Sequence, residues 1–135
     1  MAKIYKLDRG ASLVDEILKI AKKEKIKTAR LEAIGGVNRL TLAYYNHTDK
    51  KYEEHSYSEF MELTSLLGNI TQKDGKPILH AHCTAARRDQ TVLGGHLISA
   101  AVFPLAEIVI TPTKNRAKRK FDEELGLNVI HKIED

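Results

Sequence analysis

Pro77-Ile78-Leu79-His80-Ala81-His82-Cys83-Thr84 leads into a polar turn at Arg87-Arg88-Asp89-Gln90, and the chain returns through Val92-Leu93-Gly94-Gly95-His96-Leu97. Read as two strands around a turn, this stretch predicts a hairpin. Successive strand side chains point to opposite faces, so His80 and His82 share a face with Ile78, about 6.5–7 Å apart along the strand. Leu79, Ala81 and Cys83 share the other face. The returning strand carries His96 back toward them, gathering half of the chain's 6 histidines on one hairpin. Gly94-Gly95 removes two Cβ atoms beside it, as happens where a backbone bulges or approaches a ligand closely. Three neutral imidazoles with an open fourth position describe a zinc-type site. His-x-His is also the spacing of half-buried polar strand residues, and spacing alone leaves both readings open.

The rest of the chain sets the frame for that hairpin. A length of 135 residues suits one domain spanning 1–135, with room for a real core. Hydrophobic content of 42% with 30% charged residues is ordinary for a globular protein. The formal net charge of +4 permits an anionic partner without demanding one. A single cysteine, Cys83, excludes an internal disulfide and fits a reducing compartment. No apolar run reaches transmembrane length and the N-terminus lacks a signal-peptide core, so the expected location is cytoplasmic, with no membrane partner. Abundant Lys, Glu and Ile with no Trp resembles the bias of heat-adapted proteins.

Taken in order, Ala2 to Leu7 predicts a short first strand, and Asp8-Arg9-Gly10 a turn. Ser12, with Asp15 three residues on, predicts a capped helix start, and Leu13, Ile17, Ile20 and Ala21 recur at helical spacing through Lys23. Lys19, Lys22, Lys23, Lys25 and Lys27 crowd the far end, where cations complement the helix dipole. Thr28 to Ile34 predicts a strand ending at Gly35-Gly36, and Arg39 to Tyr45 another. Asn46 to Lys51 reads as a hairpin turn, and Tyr52 to Tyr57 as an edge strand. Phe60 to Leu67 reads as a run ending at Gly68-Asn69, followed by a turn over 73–77. Beyond the hairpin, Leu97 to Val102 reads as a helix-like segment or buried strand broken by Pro104. Ala106 to Thr111 reads as a buried strand, and Leu125 to Ile130 as a turn and closing strand. One helix with about eight strands predicts an α+β fold with a mostly antiparallel sheet.

Several ordered pieces together resemble the PPC (plants and prokaryotes conserved) domain, which accompanies AT-hooks in plant nuclear proteins. They are Leu7-Asp8-Arg9-Gly10, Ala33-Ile34-Gly35-Gly36-Val37, Glu62 to Ile70, Leu79-His80-Ala81-His82, Gly94-Gly95-His96-Leu97, Glu107-Ile108-Val109-Ile110 and Phe121 to Leu127. The resemblance covers nearly the whole chain. It implies one main helix packed on an antiparallel sheet, and a homotrimer. In stand-alone prokaryotic members the matching histidines accompany a bound metal. That implies His80, His82 and His96 as ligands of a divalent ion, with zinc the default for imidazole donors. Two departures stand out. Ala81 replaces the larger apolar residue usual between the first two histidines, and no Arg-Gly-Arg-Pro AT-hook is present to bind a minor groove.

Three functions follow as expectations. A DNA-associated binding module would draw on Arg87, Arg88 and the basic run Lys114, Arg116, Lys118, Arg119 and Lys120, multiplied by copies in the trimer. A metal-dependent enzyme of hydrolase or lyase type would use the three histidines with Glu62 or Glu107 as base or supporting carboxylate. In the third, the histidines hold the trimer together. Phosphate loops, serine triads and dinucleotide fingerprints are missing.

Overall fold

A computed structural model describes all residues from Met1 to Asp135. Strand β1 (Lys3–Asp8) precedes the single helix α1 (Leu13–Lys23). The other strands are β2 (Ala29–Asn46), β3 (Lys51–Tyr57), β4 (Met61–Lys73), β5 (Lys76–Ala86), β6 (Val92–Pro112), β7 (Arg116–Asp122) and β8 (Leu127–Glu134). One helix with a large, mostly antiparallel sheet is the predicted α+β architecture. The one parallel pairing joins β4 to β7 at Gln72 and Lys118.

Helix α1 follows the apolar spacing of its sequence. Leu13, Ile17 and Ala21 are buried, and the helix lies against β5 and β6. Its start departs from expectation. Ser12 is extended and its side chain makes no capping bond; its carbonyl accepts from Glu16 N–H, and it bridges to Ala101 of β6. The end is made by Lys25 at φ 55, beyond which Ile26 N–H donates to the Ala21 carbonyl.

The sheet runs in the order β3-β2-β6-β5-β4-β7-β8, with β1 on β6 and a further pairing of β2 with β4. Because β2 pairs with β6, β6 with β5, β5 with β4, and β4 again with β2, four long strands close into a ring. The ring encloses much of a 23-residue apolar cluster that includes Leu31, Leu40, Met61, Leu66, Ile70, Ile108 and Ile110. Closure reduces the number of free edges that could pair with other chains.

Three expected breaks are absent, two of them for one physical reason. Gly35-Gly36 does not stop the chain: β2 runs straight through it, bulging against β4 and β6. A Cβ on Gly36 would overlap the Phe103 carbonyl oxygen, so the glycines permit close backbone approach inside a continuous strand. Gly68 plays the same part in β4, which continues past Gly68-Asn69 to Lys73 with the His80 carbonyl where a Cβ would be. Pro104 does not break β6 either. The β2–β6 register jumps from Val37–Val102 to Gly35–Ala106, so Pro104 falls where no ladder hydrogen bond is required of it.

The basic run Lys114 to Lys120 is largely strand β7. Ala117 and Arg119 point inward, while Lys114, Arg116, Lys118 and Lys120 are exposed. Strand β8 pairs with β7 in a hairpin at the end of the sheet. The Tyr45 hydroxyl donates to the Leu125 carbonyl and ties the hairpin tip to β2.

Candidate metal centre

The histidines lie where alternation put them. On β5, Ala81, Cys83 and Ala85 are buried in the core while His80 and His82 face the other way. In the β5–β6 ladder His82 sits directly opposite His96. Beside His96, Gly95 lies so near β2 that an added Cβ would stand 2.9 Å from the Ala43 carbonyl oxygen. That glycine serves a close approach of backbone to backbone.

The three rings converge. His80 Nε2 and His82 Nε2 are 3.3 Å apart, and one ligand nitrogen from each ring lies within 4.8 Å of the others. Ring centroids are 5.0, 5.4 and 5.6 Å apart. Tyr52 of β3 stacks on His96 at 4.5 Å and 21° and fixes its plane. His82 is exposed while His80 and His96 are half-buried, which leaves one side of the cluster accessible.

The electrostatics favour a neutral ring at His80 and at His96. Burial, then the neighbouring His80 and His82, pushes the His96 pKa down to about 4. Burial, then Arg119 and His82, lowers that of His80. A neutral imidazole keeps a lone pair for a cation. His96 Nδ1 is buried with no hydrogen-bond partner, and an orphaned buried polar atom costs about 1–3 kcal/mol. Clustered nitrogen lone pairs without a carboxylate are the donor set of a borderline-soft divalent ion. The residues present therefore fit a metal ion.

One residue of the site was placed elsewhere by its sequence context. Arg119, counted above with the basic run, is only 9% exposed. Its Nε–H donates to Thr71 Oγ1 at 2.8 Å, Nη1 to the Asn128 carbonyl at 3.0 Å and Nη2 to Asn69 Oδ1 at 3.1 Å. Nη2 also stands 3.5 Å from His80 Nδ1. Alternation with Ala117 was the signal for this inward turn. Tyr52 carried no comparable signal, because its stacking depends on which strand lies beside β2.

The two carboxylates do not join the cluster within the chain. Glu62 pairs with Ala86, whereas His82 and His80 pair with Leu67 and Asn69, which puts Glu62 about 16 Å or more along β4. Glu107 lines a separate cavity of ≈ 420 Å³ with Ile4, Glu32, Ile34, Leu67 and Val109. The basic candidates also separate. Arg87, ion-paired with Glu59 and lying over Tyr57, and the exposed Arg88 sit at the far end of the 11-residue strand β5 from the β4–β7 contact, about 30 Å away. They form no single patch within one chain.

An α+β fold with three histidines gathered on one hairpin defines the class, and comparison with known proteins supplies the family. The profile of the Plants and Prokaryotes Conserved (PCC) domain matches residues 2–114, and the chain belongs to that family, the PPC domain of the resemblance above. A metal-containing protein of Archaeoglobus fulgidus is 34% identical, with a TM-score of 0.92 over 98% of this chain and 94% of its own. A Bacteroides thetaiotaomicron protein provisionally assigned to DNA binding is 30% identical, with a TM-score of 0.92 over 96% of this chain and 90% of its own. A PPC protein of Pyrococcus horikoshii is 29% identical, with a TM-score of 0.90 over 98% of this chain and 92% of its own. No curated protein matches the sequence. No helix is long and apolar enough to cross a membrane.

Proposed function

We propose that the chain is a self-associating PCC-domain protein in which His80, His82 and His96 hold one divalent ion, zinc by donor chemistry. The observation that carries this is a buried His96 Nδ1 with no partner, in a cluster whose three ligand atoms lie within 4.8 Å of one another. The metal-containing relative supports it. A bound ion supplies Lewis acidity at the open side of the cluster. The chain's own part is to hold the donors: Tyr52 fixes the His96 plane, and the β5–β6 ladder sets His82 opposite His96. Glu62 and Glu107 lie apart from the cluster, so an enzyme that takes either as its base has no support from within the chain.

Elemental analysis of wild type beside His82→Ala tests the reading. One ion per chain in wild type and its loss in the variant are expected; metal-free wild type ends it. Oligomer mass measured with and without chelator assigns the role. Metal loss with the assembly intact marks an open functional site, and dissociation marks a structural one.

DNA association is the second reading, favoured by a hollow of ≈ 480 Å³ with no hydrophobic residue in its lining, where Lys27, Arg116, Lys118, Arg119, Lys120 and His131 face one acid, Asp74. Copies of this hollow in an assembly would sum a field too weak singly. Affinity for a DNA duplex should fall steeply with salt, and Lys120→Ala should lower it on every sequence alike. Absence of duplex binding at low salt ends this reading.

A further inference from the structure

Beside the histidines lies a cavity of ≈ 500 Å³ lined by His80, His96, Tyr52 and Arg119 and, on its apolar side, by residues that include Phe121 and Val129. We infer that it binds a small organic monocarboxylate, with the carboxylate against the Arg119 guanidinium, the apolar body on the β7–β8 hairpin, and one end at the three histidines. This rests on the reading of the cluster as a metal site and names the class of ligand that site would take.

The charge of Arg119 carries the inference. The three acceptors it bonds are neutral: a hydroxyl, a carbonyl and an amide oxygen. A guanidinium offers five N–H donors, so those three contacts leave one Nη1 and one Nη2 hydrogen without a protein acceptor, since His80 Nδ1, 3.5 Å from Nη2, carries the ring proton when Nε2 ligates an ion. Buried arginines are ordinarily paired with a carboxylate, because an isolated desolvated charge is costly. Here the chain provides none, although eight ion pairs form elsewhere on it. The chain's own groups therefore leave one positive charge uncompensated in the pocket, on a buried side chain, beside the ion of the cluster. Largely apolar walls around those charges favour an anion with a hydrocarbon part over inorganic phosphate, whose hydration such walls cannot replace. Arginine and carboxylate also match in shape.

Calorimetric titration of butanoate into the metal-analysed wild-type assembly tests this, with butanamide and inorganic phosphate as comparators. Saturable butanoate binding at least tenfold tighter than either comparator is expected. Arg119→Gln should weaken it tenfold or more. Val129→Trp, which narrows the cavity and keeps Arg119 in the chain, should weaken it too and keeps the test decisive should the arginine variant fail to fold. Butanamide or phosphate binding as well as butanoate overturns the inference, as does binding indifferent to both substitutions. Wild type that carries metal and gives no butanoate binding overturns this inference alone; wild type without metal overturns the reading beneath it.

Discussion

At the scale of single residues, burial decides what each reactive side chain can do. Cys83 faces the core opposite the histidines, and burial pushes its thiol pKa up to about 11. It should resist alkylation at neutral pH in the folded protein and react fully once unfolded. The linkage has a definite sign. A thiol held above its ordinary value of 9.0 favours the folded state fully at lower pH and loses that contribution as pH rises through the folded pKa. Wild type should therefore lose up to about 3 kcal/mol between pH 8 and 11 relative to Cys83→Ala. Chemical denaturation of both proteins across that range checks it; parallel curves would show that the thiol is not held protonated. Arg119 shows how charge can mislead. In a run of lysines and arginines it reads as one more exposed cation, and only its alternation with Ala117 separates the buried guanidinium from its solvated neighbours.

At the scale of elements, local pattern was a good guide wherever the element's environment repeats its period. The β5–β6 hairpin was legible because a buried core on one side forces alternation, which put His80 and His82 together and brought His96 opposite. Helix α1 was legible for the same reason, and its energetics should divide between face and cap. Ile17→Ala, at a fully buried position, should cost about 2–5 kcal/mol. Ser12→Ala should cost under about 0.5 kcal/mol, because the serine side chain makes no cap bond. Equilibrium unfolding of the pair checks the contrast, and equal losses would contradict it. Strand ends were less legible. Gly35-Gly36 and Gly68 look like punctuation in a sequence, yet they serve close backbone approaches to Phe103 and His80 on the neighbouring strands.

At the scale of the whole molecule, the closing of β2 on β4 was beyond the sequence, because nothing local in either strand encodes a pairing set by two other strands. The stacking of Tyr52 on His96 was hidden too, because it needs β3 and β6 on either side of β2. Assembly belongs to this scale as well. Ile4, Ile34 and Leu67 are 77%, 54% and 53% exposed around a cavity that also holds Glu32 and Glu107. Large apolar side chains clustered in the open suit an interface between copies of the chain. Light scattering should give a mass of three chains for wild type, and Ile34→Glu should shift it toward one; an unshifted mass would place the interface elsewhere. The central claim is that three imidazoles share one ion. X-ray absorption at the zinc edge of protein loaded with one equivalent tests it most directly. The account predicts three histidine rings per ion, falling to two in His96→Ala; a wild-type spectrum without histidine scattering would contradict it.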